Sequence, residues 1–276
     1  MNRTLGLRGW SKWLAGWGRL DKIQVSDAAL SRCIASWDEV CKLQFFSDVK
    51  QRERELRKAT EEVEWRDFGA GCPAEGRLRK SLVADMAASA SSDPRKGQWL
   101  MAAARAAGQA KPSPVRILEL GTCLGSGGDY LLSGAQKGSS YIGLEGSDAL
   151  SAWTKRRLQV HSDKGADVRV VPGPFEQTLP AVVSANGPFD VVFLDGCHEG
   201  EILLEQWRSI QPALSPDFIA VVDDIRWSVD MHDAWVQLAS DPQVAALDVF
   251  RMGILTPQQA DANPHNMTRV TWRQRA

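Results

Sequence analysis

The stretch Val115–Leu132, VRILELGTCLGSGGDYLL, constrains the fold more than any other part of this 276-residue chain. An apolar run ends in the acidic Glu119 and enters a glycine-rich bend, Gly121 to Gly128, before a helical pattern begins. A continuous apolar run of this length reads as a parallel strand buried on both faces. Its carboxyl end feeds a loop in which glycine, lacking Cβ, lets backbone approach a ligand closely and tolerates positive φ.

The loop fits an adenosine-containing cofactor, but not a dinucleotide. The dinucleotide fingerprint needs G-x-G-x-x-G at this turn. Here Cys123 stands where the second glycine belongs, and Leu124 and Ser126 break the alternative registers. A phosphate-cradling loop would end in Gly-Lys-Ser/Thr, which is missing too. What remains, E-L-G-T-x-L-G, resembles the first motif of the class I S-adenosylmethionine (AdoMet)-dependent methyltransferases. In that family the glycines lie under the methionine portion of the cofactor, so no phosphate-binding chemistry is required.

Bulk properties exclude several classes. The net charge of −1 leaves no basic footprint for nucleic acid. No apolar run approaches the roughly 20 residues of a membrane span, and the first residues lack a secretory signal's uninterrupted apolar core. Five scattered cysteines without a C-x-x-C pair favour a reducing, cytoplasmic setting over a disulfide framework. Eleven tryptophans are many for this length, and Trp10, Trp13 and Trp17 fall at helical spacing with Leu14 and Leu20. That pattern suits an amphipathic helix packed on its own domain or on a second subunit, as in a homodimer. An interfacial anchor or a lid over an aromatic substrate is the alternative.

The chain contains no internal repeat. Residues 1–110 read as a helical N-terminal cap or lid region, in which the run KQRERELRKATEEVE forms a solvated helix face. Within it, WRDFGAGCP (Trp65–Pro73) reads as a loop that covers the cofactor with Phe68 as a wall, or as an ordinary linker. The cofactor-binding domain is expected at 111–276. From Val115 strands are expected near 115–120, 140–145, 167–171, 189–194 and 218–223, separated by helix-length segments. Such alternation implies right-handed crossovers and a parallel, doubly wound α/β sheet. The tail offers Leu247–Phe250 followed by either Gly253–Thr256 or Thr268–Arg273 as a closing hairpin.

Open α/β sheets bind ligands at the carboxyl ends of their strands. The second strand ends at Glu145-Gly146, where a carboxylate can accept both ribose hydroxyls. After the third, Pro172-Gly173-Pro174-Phe175 passes beside the adenine or forms a plain turn. The candidate cofactor contacts are thus Glu119, Gly121, Thr122, Gly125, Ser126, Glu145, Gly146, Phe175 and Asp195. The fourth and fifth strands end in FLDGCHEGE and VVDDIRW, placing Asp195, His198, Asp223 and Asp224 on neighbouring strand ends about 4.8 Å apart. Converging carboxylates repel unless something positive sits between them. Oxygen-only ligands suit Mg²⁺, which would polarise an acceptor hydroxyl; otherwise one carboxylate contacts the cofactor, another caps a helix, and no metal binds. His198 suits a general base, since an ordinary imidazole titrates near pH 6.5. Arg226 and Trp227 are placed to touch substrate, although Trp227 suits core packing as well. Asp230, His232 and Asp233 read as a solvated helix face, and Cys123 and Cys197 as small packing residues.

Asp195-x-x-His198 followed by Asp223-Asp224 resembles the metal-dependent sugar O-methyltransferases and, more distantly, catechol O-methyltransferase. FGAGC, ELGTCLGSG, FLDGCHEGE and DDIRWSVDMHDAW resemble bacterial methyltransferase-like proteins of unassigned substrate, over about residues 65–256. The resemblance implies a Rossmann-like, mostly parallel seven-stranded sheet whose last strand is antiparallel. It implies AdoMet as cofactor, a small-molecule acceptor, Asp195, Asp223 and Asp224 as Mg²⁺ ligands, and His198 as base beside Asp195. Two other uses stay open: cleavage of the cofactor's aminocarboxypropyl arm, with the Trp-rich segment boxing the sulfonium, and a non-catalytic AdoMet-binding module.

Overall fold

A computed structural model describes residues 27–73 and 75–258, together with the short strand at 268–269. The Trp10–Trp17 segment lies outside the described residues. Two helices come first, α1 (Ala28–Val40) and α2 (Gln44–Leu56). An antiparallel hairpin follows, β1 (Glu62–Asp67) and β2 (Arg77–Leu82), then helices α3 (Val83–Ser89) and α4 (Pro94–Ala110). The region expected to be helical up to residue 110 is therefore interrupted by this hairpin, and helix resumes at Val83. In β2, RLRKSL carries charge at Arg77, Arg79 and Lys80 and is exposed at five of its six positions, so it offers no buried stripe on which a helix could pack.

The alternating region then runs β3 (Arg116–Leu120), α5 (Ser126–Gly134), β4 (Ser140–Glu145), α6 (Asp148–Ser162), β5 (Asp167–Pro172), α7 (Phe175–Asn186) and β6 (Phe189–Leu194). It continues with α8 (Gly200–Ile210), β7 (Leu214–Val222), α9 (Val229–Ala239), β8 (Val244–Asp248), β9 (Gly253–Pro257) and β10 (Thr268–Arg269). All five expected strands are present. The sheet order is β10-β8-β9-β7-β6-β3-β4-β5, with β9 antiparallel to both of its neighbours. This is the expected mostly parallel seven-stranded arrangement, with the two-residue β10 added beside β8. The closing hairpin uses Gly253–Pro257, the first of the two alternatives.

Strand alternation divides the core into two layers. Ile117, Val191, Phe193, Ile219 and Val221 face α1, α4 and α5, whereas Leu118, Leu120, Val192, Leu194, Ala220 and Val222 face α7, α8 and α9. The chain order reverses where β3 lies between β4 and β6, so the carboxyl ends there flank the switch point at which such sheets bind ligands. Helix α4, from the stretch before residue 111, lies on the sheet as part of the first layer.

The charged run in α2 is not wholly solvated. Arg52 donates to Asp129 at 2.5 and 2.8 Å, His161 Nε2 stands 2.7 Å from the same carboxylate, and Arg157 bridges Asp129 to Glu53. Burial opposes ionisation of Asp129, yet Arg52, His161 and Arg157 hold its carboxyl well below the usual carboxylate range. The cluster ties α2 to α5 and α6, immediately behind the glycine loop. Breaking one partner of a buried ion cluster leaves an uncompensated charge, at a cost of roughly 3–5 kcal/mol. Asp129→Asn is therefore expected to lower stability by about 3 kcal/mol, measured as a reduced urea midpoint with an unchanged denaturant slope.

Candidate functional site

The backbone ladder sets the site's geometry. One residue past each strand end the pairing continues: Gly121 N–H donates to Leu144 O at 2.9 Å, Asp195 N–H to Leu120 O at 3.0 Å, and Asp223 N–H to Leu194 O at 2.9 Å. Three loops thus leave the sheet at one level, side by side. Gly121 has φ +87°, and a Cβ there would lie 2.0 Å from the carbonyl oxygen of Asp195, so only glycine allows the two loops to pass. Gly125, at φ +77°, opens α5.

A cleft of about 870 Å³ opens above these loops, within the range of small-ligand sites. Of the residues expected around a cofactor, Gly121, Glu145, Gly146, Phe175 and Asp195 line it. Phe68 stacks over Gly146, where a Cβ would meet its ring at 2.5 Å, and Phe175 covers Gly196 in the same way. The β1–β2 connection carrying Phe68 is tied across the cleft, because Gly71 N–H donates to Glu199 Oε1 at 2.8 Å and Arg66 N–H to Ser147 Oγ at 3.2 Å. Glu145 accepts from Cys123 N–H at 2.7 Å and Ser147 N–H at 3.0 Å, one on each oxygen. Oε2 also accepts from the Thr122 hydroxyl at 3.4 Å.

Glu119, Thr122, Gly125 and Ser126 do not line the cleft. Thr122 bonds to Thr154 Oγ1 at 3.2 Å, and Ser126 lies beside Arg157. Glu119 points beneath α5, where Tyr141 O–H donates to it at 2.5 Å. The alternation of β3 explains this: Glu119 shares a face with Ile117, toward the first layer.

The acidic cluster has a partner that the motif reading missed. Lys96, on α4, places its ammonium against Asp223 Oδ2 and 3.5 Å from Asp224 Oδ1. Arg251, from the β8–β9 turn, donates to Asp224 at 2.6 and 3.1 Å. Asp224 itself sits in the left-handed region at φ +46°. Burial lowers the Lys96 ammonium, but Asp223, Asp224 and Asp195 together hold it above its ordinary value. Burial and the neighbouring Asp223 push Asp195 well above the carboxylate range, while Lys96, Arg251 and His198 outweigh burial to hold Asp224 below it. No group of three or more His, Cys, Asp or Glu among the described residues is arranged to hold a metal ion. The expected Mg²⁺ trio Asp195, Asp223 and Asp224 does not fit a divalent cation, because Lys96 stands among those carboxylates.

His198 Nε2 lies 3.9 Å from both Asp195 Oδ1 and Asp224 Oδ2, with the half-exposed Trp227 ring centred 5.4 Å away. Both side chains line the cleft. Arg226 turns from it to pair with Asp248 at 2.5 and 2.9 Å. Cys197 lines the cleft with its thiol pushed up to about 12 by burial, and burial likewise raises Cys123, which suits packing rather than nucleophilic roles. Asp230 and Asp233 are exposed as expected, though Asp230 also accepts from Gly200 N–H at the start of α8.

Fold and strand-end cleft together are those of a Rossmann-like domain with a ligand cleft at its switch point. Comparison with known proteins agrees: residues 118–225 match the family model of a methyltransferase domain. A catechol O-methyltransferase of Mycobacterium tuberculosis (strain ATCC 25618 / H37Rv) is 35% identical over 92 residues, 33% of this chain and 40% of that protein. The match thus spans well under half of that relative's length. Among solved structures, the Bacillus cereus O-methyltransferase in complex with SAH superposes with a TM-score of 0.52 at 14% identity, covering 83% of this chain and 100% of that one. The SAH-bound Podospora anserina methyltransferase PaMTH1 gives 0.54 at 18% identity, over 87% and 99%. At such identities these two establish the fold. No helix among the described residues is long and apolar enough to cross a membrane.

Burial pushes the Glu119 carboxyl up to about 8. A carboxyl whose folded pKa exceeds its unfolded value favours the folded state below the unfolded pKa, and that stability is lost as pH rises through the folded pKa. For Glu119 the window runs from about pH 4.5 to 8. Glu119→Gln keeps an acceptor for Tyr141 without the charge. Its stability relative to wild type should rise across that window by about 1.4 kcal/mol per pH unit at most, read from paired denaturant titrations at pH 5 and pH 9.

Proposed function

We propose that the chain is an AdoMet-dependent O-methyltransferase acting on a small hydroxylated molecule. The observation that carries this reading is His198, set between two carboxylates in the cleft that Glu145, Phe68 and Phe175 also line. AdoMet would supply an electrophilic methyl group on sulfonium sulfur.

The residues of the chain would do three things. Glu145 accepts ribose hydroxyls, and Phe68 and Phe175 wall the cofactor and exclude water. His198 accepts the acceptor's hydroxyl proton on Nε2, with Asp224 stabilising the imidazolium that results. Trp227 presents an apolar surface to the acceptor. Transfer of the methyl from sulfur to oxygen would release neutral S-adenosylhomocysteine, with His198 holding the proton taken from the acceptor. Orientation and the removal of one proton are the enzyme's share of the barrier. The catechol O-methyltransferase relative supports an oxygen acceptor.

Incubation of the protein with AdoMet and a panel of catechols and sugars is expected to yield S-adenosylhomocysteine and a singly methylated acceptor by mass spectrometry. Methylthioadenosine as the adenosyl product would instead assign cleavage of the aminocarboxypropyl arm. His198→Ala should lower kcat by about 10²- to 10⁴-fold while AdoMet affinity, measured by calorimetry, stays within a factor of about two. Glu145→Gln should have the reverse profile, weakening AdoMet binding by about 10- to 100-fold through loss of a charge-assisted hydrogen bond.

A further inference from the structure

We propose that Lys96 takes the place of a divalent cation in this site: its ammonium neutralises the carboxylates of Asp223 and Asp224, beside Asp195, and presents a donor to the acceptor oxygen. Methyl transfer by this chain is then independent of added metal. The second statement rests on the methyltransferase reading above; the first does not.

Position is the first argument. Lys96 contacts Asp223 directly, lies 3.5 Å from Asp224, and also lines the cleft. It reaches into the cluster from α4, a helix contributed by the stretch ahead of the matched domain. A metal ion placed among the same carboxylates would meet the ammonium at contact distance, and two cations that close repel strongly.

The second argument is the cost of putting a lysine there. Lys96 lies in the first turn of α4, where the aligned peptide dipoles present positive charge and cations are disfavoured. Asp93 offsets part of this by accepting from the backbone N–H groups of Arg95 and Lys96 at 2.8 and 3.1 Å. The next residue, Gly97, lets α4 press onto Tyr130, since a Cβ there would lie 2.3 Å from the ring. Glycine at this point of contact brings the Lys96 backbone close to the sheet ends. Cap and glycine both serve the approach of one cation to the carboxylates.

The third argument is compensation. Asp223 is 1% exposed, and its Oδ1 has no hydrogen-bond partner among the described residues. A buried carboxylate needs a paired cation, and Lys96 is the cation in contact with it. Arg251 performs the same service for Asp224. The positive charge that a metal ion would have set against an acceptor oxygen is thus carried by the ammonium N–H groups. The ammonium carries three N–H donors and need not spend all of them on the carboxylates.

Mn²⁺ serves as the probe, its binding to the full chain followed by loss of the free-ion EPR signal. The wild type should bind no Mn²⁺ at millimolar concentration. Lys96→Met, confirmed as folded by circular dichroism, should acquire one site per chain, and Lys96→Met combined with Asp223→Asn should lose it. Binding of one Mn²⁺ per wild-type chain, abolished by Asp223→Asn, overturns the proposal, as does a folded Lys96→Met variant that gains no site. Should that variant fail to fold, the wild-type titration decides alone, since binding overturns and absence of binding supports. In the methylation assay, wild-type turnover should be unchanged by EDTA; a tenfold or greater loss restored by Mg²⁺ overturns metal independence. Absence of methyl transfer to every acceptor would count against the methyltransferase reading, while the Mn²⁺ titration would still decide the role of Lys96.

Discussion

Three carboxylates brought to the ends of two adjacent parallel strands form an arrangement that cannot persist without positive charge. The ladder of β3, β6 and β7 fixes Asp195 and Asp223 at one level, and Asp224, in a left-handed conformation, adds a third carboxylate beside Lys96. Their mutual repulsion grows as the cleft excludes water, because the effective dielectric falls with burial. The elements that meet this demand come from well outside the motif. Lys96 is carried by α4 and Arg251 by the turn between β8 and β9. Helix α4 is therefore as much a part of the site as the glycine loop, although it precedes the first sheet strand by a full connection.

The same cleft gives its carboxylates different work by environment. Asp195 is driven toward the neutral acid by burial and by Asp223, while Asp224 is held as the anion by Lys96, Arg251 and His198. Titratable groups pushed apart in this way mark sites of proton transfer. On the methyltransferase reading His198 gains a proton during turnover, and an anionic Asp224 at 3.9 Å is the group able to stabilise it.

Much of the fold was legible from local pattern alone. Continuous apolar runs separated by helix-length segments allow few arrangements besides a doubly wound parallel sheet, and every expected strand from Val115 to Asp223 is present. Strand ends were equally readable, which is why Asp195, His198, Asp224, Glu145 and Phe175 all line the cleft. Side-chain facing inside the motif was less so. Glu119 sits one residue before the strand's last position, so the period of two turns it away from the cleft into the first layer. A charged run such as that of α2 conceals its buried members in a similar way, because Arg52 and Glu53 differ from their solvated neighbours only by the partners that meet them. Asp129 and Arg157 are those partners.

Lys96 was the least accessible of all. It stands in an alanine-rich helix, 127 residues from Asp223, with no motif around it. The only local signal was a basic residue in the first turn of a helix capped by Asp93, a position that the helix dipole disfavours. Such a misplaced cation is informative once the topology is known: α4 lies on the sheet with its first turn over the carboxyl ends of β6 and β7. An acidic pair after the fifth strand predicts that a cation is needed, but not which one. A sequence motif that specifies only the carboxylates is satisfied equally by a metal ion and by a lysine from another element. The choice is made by the helix that packs over the strand ends.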